Sequence, residues 1–291
     1  MKTITLSILC FLVFQMSQSQ SEEEIYKSIL DSLESTFNYE YGTVDLKNGL
    51  ATLRVPEGYK FLGSEQSGYV LTELWGNPPS DVVGLLFPED ISPISDNFTY
   101  AVEITYSEDG FIEDGDAEDI DYDDLLEEMQ KDTKASNKER KKQGYGSMEL
   151  MGWASTPFYD GKNKKLHWAK EIKFEGSEVN TLNYNIRILG RKGFLTMNAI
   201  GDIGVLSLFN NDREQILASV EFNKGNRYQD FDSDFDNVAS YGIGGLIAGK
   251  VLAKAGFFAV ILKFWKFIAL GAVGLFSVFR KKLFGGKEES K

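Results

Sequence analysis

The densest chemistry in this sequence is the acidic run from Ser107 to Asp124, SEDGFIEDGDAEDIDYDD. Within it Asp114, Asp116 and Glu118 fall at the alternate spacing of the first ligands of a helix–loop–helix calcium site. The match stops there. Asp119 stands where such a loop needs glycine, and Leu125 where it needs a bidentate glutamate. The favoured reading is a solvated acidic loop that ends in a helix cap. Asp121 takes the N-cap, and Asp123 and Asp124 follow in the first turn, where the positive helix end suits carboxylates. A non-standard carboxylate site for calcium is the alternative, and no other cofactor is expected.

His167 is the only histidine. On a strand it shares a face with Glu171, a pairing that suits a general base. A single histidine leaves a zinc ion with carboxylates alone, so no usual zinc site is expected and a structural histidine is favoured. Arg187 and Arg191 flank a turn, where they can hold an anion or pair with acids; pairing is expected in so acidic a chain. Serine and threonine lack a Gly-x-Ser-x-Gly elbow, a phosphate loop is missing, and so is His-Glu-x-x-His. The many carboxylates permit glycoside hydrolysis, but a sequence does not give their separation.

The elements that must position these groups lie between two apolar ends. The formal charge of the 291 residues is −13, and residues 20–240 carry 42 acids against 21 bases, a charge of −21. Such a field repels nucleic acid, so nucleic-acid binding is excluded. The only cysteine, Cys10, sits in the N-terminal apolar run, which leaves no disulfide and no thiol nucleophile afterwards. Lys2, the apolar stretch Ile4 to Phe14 and Ser17-Gln18-Ser19 read as a signal peptide over 1–19, too short to span about 30 Å of hydrocarbon.

Residues 256–279 are long and apolar enough for one transmembrane helix, although Lys263 and Lys266 oppose it. Arg280, Lys281 and Lys282 open a basic tail, 280–291, that belongs in the cytoplasm. Residues 241–255 read as a small-residue juxtamembrane helix with Gly245-xxx-Gly249, a spacing that lets helix backbones approach. A two-span hairpin turning at Lys263 is the runner-up. The expected protein is thus single-pass in a bacterial membrane, the inner one, with residues 20–240 as a periplasmic domain.

Within that domain the patterns predict a helix over Glu22–Phe37 and a strand over Gly49–Pro56, with order continuing through Tyr59–Leu62. A short helix over Gln66–Leu74 follows, then strands over Val82–Phe87 and Phe98–Tyr106 and a polar helix over Asp121–Lys142. Five further strand-like runs are Ser147–Ala154, Leu166–Phe174, Thr181–Leu189, Phe194–Ala199 and Val205–Phe209, with a hairpin turn at Gly190–Gly193. Asn211 or Asp212 is expected to cap a last helix to Val220. The fold class is α+β, a largely antiparallel sheet with helices packed on it, plus the C-terminal transmembrane helix. The element order resembles the small PsbP-like sandwich fold, a likeness that carries no function.

Several segments together resemble one family. They include Ala51-Thr52-Leu53-Arg54-Val55-Pro56, Trp75-Gly76-Asn77-Pro78-Pro79, Ile120-Asp121-Tyr122-Asp123-Asp124, Gly152-Trp153-Ala154 and Leu166-His167-Trp168-Ala169-Lys170. Leu182-Asn183-Tyr184, Arg187-Ile188-Leu189-Gly190-Arg191-Lys192-Gly193 and Ala239-Ser240-Tyr241-Gly242 complete the set. The chain is similar to the membrane-anchored bacterial proteins of domain-of-unknown-function family 2167. The resemblance implies an envelope protein with this anchor and brings no reaction, cofactor or functional residue. The expected role is a non-enzymatic binding or assembly module, in contact with the bilayer through its C-terminal helix and with a protein partner or itself. The alternative is a carboxylate-based envelope hydrolase, metal-assisted or not.

Overall fold

A computed structural model describes residues 24–249, apart from 78, 96 and 143. The expected signal peptide, transmembrane helix and basic tail lie outside the described residues. Among those described, no helix is long and apolar enough to cross a membrane.

After a helix over 24–34 (α1), strands β1 (Tyr39–Glu40), β2 (Thr43–Leu46), β3 (Ala51–Arg54) and β4 (Tyr59–Gly63) follow closely. Helix α2 (Ser64–Tyr69) runs into a π-helical turn, Val70–Leu74. Strands β5 (Val82–Pro88) and β6 (Tyr100–Ser107) precede α3 (Tyr122–Lys142). Four long strands come next: β7 (Met148–Asp160), β8 (Lys165–Phe174), β9 (Thr181–Leu189) and β10 (Phe194–Asp202). Helix α4 (Leu206–Ser219), β11 (Val220–Phe222) and α5 (Ile243–Ala248) complete the described residues.

Eight strands form one antiparallel sheet in the order β1-β4-β5-β6-β10-β9-β8-β7, and β11-β3-β2 form a second. The fold is therefore α+β with a large antiparallel sheet. Alternation explains the layers, because successive side chains on a strand point to opposite faces. On β9, Leu182, Tyr184, Ile186 and Ile188 are buried in a core shared with Leu195, Met197 and Ala199 of β10, Val102 and Ile104 of β6, the small sheet, and Phe209 and Ile216 of α4. The opposite face carries two separate apolar clusters. One joins α3 and α5 to β7 and β8 through Met129, Met148, Trp168, Ile172, Leu246 and Ile247. The other joins the α2–π turn to β4 and β5 through Leu62, Val70, Leu71, Leu85 and Phe87.

Three expectations need correction. The run Val205–Phe209 is not a strand: after a turn of 3-10 helix at Ile203–Val205, α4 already begins at Leu206. A short apolar run has no period of its own, and here Phe209 and Ile216, two helical turns apart, take the buried face. Asn211 and Asp212 therefore lie inside the helix instead of capping it, and Asp212 accepts hydrogen bonds from the hydroxyls of Tyr59 (2.9 Å) and Tyr100 (3.3 Å). Strand β2 was not expected. It is a hairpin partner of β3, reached through Lys47, Asn48 and Gly49, all with left-handed backbone (φ 47°, 54° and 85°). Strand β7 runs on to Asp160 with three register irregularities, as befits an edge strand that must not pair further.

The helix expected over 241–255 is described only as far as Gly249. Helix α5 buries Ile243, Leu246 and Ile247 in the cluster below α3 and stops at Gly249, whose φ of 70° ends it; residues from 250 on lie outside the described residues. A Cβ on Gly245 would lie 2.7 Å from that of Tyr241. Among the described residues Gly245 thus serves local packing against Tyr241, and Gly249 ends the helix.

Candidate functional site

The acidic run does not converge. The Asp114 carboxylate accepts hydrogen bonds from Lys164 Nζ (2.5 Å) and from the hydroxyls of Tyr159 (2.6 Å) and Tyr228 (3.0 Å). Burial opposes its charge, but these donors outweigh burial and hold its pKa below the usual range. Asp116 accepts the backbone N–H groups of Ile243 (2.9 Å) and Gly244 (3.0 Å) at the start of α5. A side chain on Gly242 would collide with it, the nearest carboxylate oxygen lying 2.5 Å from a Cβ there. Glu118 is exposed. Asp121 Oδ1 accepts from the backbone of Asp123 (3.0 Å) and Asp124 (3.1 Å), capping α3. Among the described residues, no group of three or more His, Cys, Asp or Glu side chains is placed to hold a metal ion.

His167 faces α4. Its Nδ1 lies 2.9 Å from the Tyr184 hydroxyl, and the two rings stack at 6.0 Å. Burial, aided by Arg213, lowers its pKa. Glu171 accepts a hydrogen bond from Asn180 Nδ2 (2.5 Å). Arg191 pairs with Asp236 at 2.6 Å.

Arg187 differs. It sits on the other face, its guanidinium carbon 5.2 Å from the centre of the Trp168 ring and 5.6 Å from that of Phe194. Around it the centre of the sheet is polar. The registers place Trp168, Asn185, Asn198 and Glu103 in one row across β8, β9, β10 and β6. A flanking row brings Arg187 beside Thr196 and Thr196 beside Thr105; on the other flank Lys170 pairs with Asn183. Asn185 Nδ2 donates to Asn183 Oδ1 (2.8 Å), and Asn183 Nδ2 donates to Asn198 Oδ1 (2.9 Å), so the asparagines are locked to one another. This strip separates the two apolar clusters. Asn183, Asn185 and Lys170 are buried, whereas Glu103, Thr105, Arg187, Thr196 and Asn198 are half-buried along it.

The strip holds its charges in poor solvent. Burial pushes the Glu103 carboxyl up to about 7, against the pull of Arg187. Burial and then Arg187 bring Lys170 down to about 8. Burial lowers Arg187 to about 10, with Tyr241 and Glu103 opposing. Perturbed groups collected on one face are a mark of functional sites. Of these residues only Arg187 was a candidate by sequence. The signal for the rest was present in the alternation of β9, where Asn183, Asn185 and Arg187 interleave with apolar residues; that pattern reads as a strand with a solvated face.

The model of a family described as "Protein of unknown function (DUF2167)" matches residues 38–277. No match is found among curated proteins. The solved structures that resemble the chain include cyanobacterial PsbP (CyanoP) from Synechocystis sp. PCC 6803, at 10% identity and a TM-score of 0.36, covering 62% of this chain and 91% of that one. The Saccharomyces cerevisiae Ran-binding protein Mog1p aligns at 9% identity and a TM-score of 0.30, over 62% of this chain and 84% of its own. At such scores the likeness carries no functional weight.

Proposed function

This chain belongs to the family of proteins of unknown function DUF2167, and from that premise we propose that it is a non-enzymatic binding module, tethered to a bacterial membrane by residues 256–279 with its α+β domain outside. The polar strip is the binding surface. The observation that carries this reading is a half-open row of Arg187, Thr196, Asn198 and Glu103 at the centre of a sheet face whose two flanks are packed with apolar side chains. A sheet covered on both faces has little reason to keep desolvated charges in its middle, since each lowers stability unless something pairs with it.

Location is tested with Glu149→Cys, an exposed position on β7 that would carry the only thiol once residues 1–19 are removed. In spheroplasts a membrane-impermeant maleimide is expected to label it without lysis; labelling only after lysis would overturn the outward orientation. Binding is tested by placing a photo-crosslinking residue at Thr196 of the full-length protein in cells, with Glu149 as the comparison position. Adducts to one envelope protein, or to a second copy of the chain, are expected from Thr196 and not from Glu149. Equal adduct patterns from both positions would remove the strip from consideration as the binding surface.

A further inference from the structure

We propose that the Arg187–Trp168 corner of the strip receives the oxyanion group, carboxylate or phosphate, of an organic ligand. This rests on the binding-module reading and names the ligand chemistry for it. Three observations meet at this corner. First, two side-chain N–H groups are buried there without an acceptor among the described residues: Arg187 Nε and Trp168 Nε1, the latter on a side chain only 1% exposed. Trp75 and Trp153, by contrast, donate from Nε1 to the carbonyls of Pro93 (2.9 Å) and Tyr122 (3.1 Å). A buried donor without an acceptor costs roughly 1–3 kcal/mol, which an oxyanion accepting from it would recover.

Second, the guanidinium lies over the Trp168 and Phe194 rings. A stacked guanidinium presents its N–H groups at its edge, in the fork that matches a carboxylate or a phosphate. Among the described residues its one acceptor is the Ile186 carbonyl, which takes Nη1–H at 3.3 Å. Third, the acidic field of the domain is weak at the guanidinium: residues 20–240 carry −21, yet the carboxylate that acts on Arg187 here is Glu103, and it acts through space. The Trp168 and Phe194 rings, buried in the cluster under α3 and α5, hold the guanidinium from one side, and the asparagine ladder fixes the floor.

The test uses the full-length protein in detergent micelles with 15N-labelled tryptophan indoles, titrated at constant ionic strength with sodium acetate and, in a parallel series, with inorganic phosphate. The indole N–H resonance of Trp168, assigned by its loss in Trp168→Phe, is expected to shift saturably while those of Trp75 and Trp153 stay in place. Saturation by acetate points to a carboxylate ligand, and saturation by phosphate alone to a phosphorylated one; either supports the oxyanion site. No saturable shift with either salt by about 100 mM would overturn it, that being far weaker than a useful site. Arg187→Met is expected to weaken binding about tenfold or more. If that variant does not fold, Glu103→Gln decides: removing the opposing carboxylate should tighten binding, and an unchanged affinity overturns the proposal. Adducts from Thr196 in the absence of any shift would leave the binding module standing and discard the oxyanion. A shift without adducts would keep the oxyanion site and remove only the protein partner from the binding-module reading.

Discussion

Gly193→Ala is expected to cost more than about 4 kcal/mol and to leave little folded protein at 37 °C. Gly193 closes the hairpin between β9 and β10 with φ of 154°, and a Cβ there would lie 1.9 Å from the carbonyl oxygen of Ser107. That oxygen belongs to the end of β6, which pairs with β10 from Phe194 onward. The clash is with backbone, so no side chain can swing aside, and relief requires parting two central strands. Gly176→Ala, also at positive φ but with open space at its Cβ, is the matched comparison and should show only the smaller conformational penalty. Urea titrations followed by tryptophan fluorescence separate the two; equal losses would mean that backbone conformation, not the approach to β6, sets the effect.

Glu103→Gln is expected to stabilise the domain at pH 8 by about 3 kcal/mol, the linkage value of a carboxyl raised from 4.5 to about 7. The sign follows from which state holds the proton more tightly. The folded state does, so the contribution of the protonated carboxyl is fully present below pH 4.5 and is lost as pH rises through about 7. Wild type should therefore lose stability relative to Glu103→Gln across that window, with the difference level above it. Lys170, lowered to about 8, stays mostly charged throughout the same window and adds little slope. Paired unfolding curves at pH 4.5, 6 and 8 check this. A difference between the two proteins that does not change with pH would show that Glu103 is solvated, and would weaken the account of the strip as a desolvated surface.

Much of the fold was legible because its elements are long and periodic. Thr181–Leu189 alternates without a break and forms β9 over those same residues. The polar helix that starts after Asp121 carries its own cap and basic last turn, Arg140-Lys141-Lys142. Elements without a period of their own were misread. Thr43–Leu46 is four residues whose pairing depends on a left-handed turn at Lys47–Gly49, and Val205–Phe209 is apolar in a way that suits strand and helix equally. The strip was illegible for another reason. Alternation tells which residues share a face, and it placed Asn183, Asn185 and Arg187 together. What lies over that face is decided by α2, α3 and α5, all distant in sequence from β9. Lys170 and Glu103 join the strip only through strand order, with β10 placed between β6 and β9.

The division of one sheet face into two apolar clusters also bears on how the molecule breathes. The core beneath α4 is continuous from β4 to β8, so the sheet, the small sheet and α4 are expected to unfold together. Over the other face, α3 with α5 and the α2–π turn draw their stability from separate contacts on either side of the polar centre. Local opening on one side costs only that side's contacts. Amide protons of α3 and of the turn are therefore expected to exchange through two independent sub-global openings, each baring its own end of the strip without disturbing the strands that form its floor.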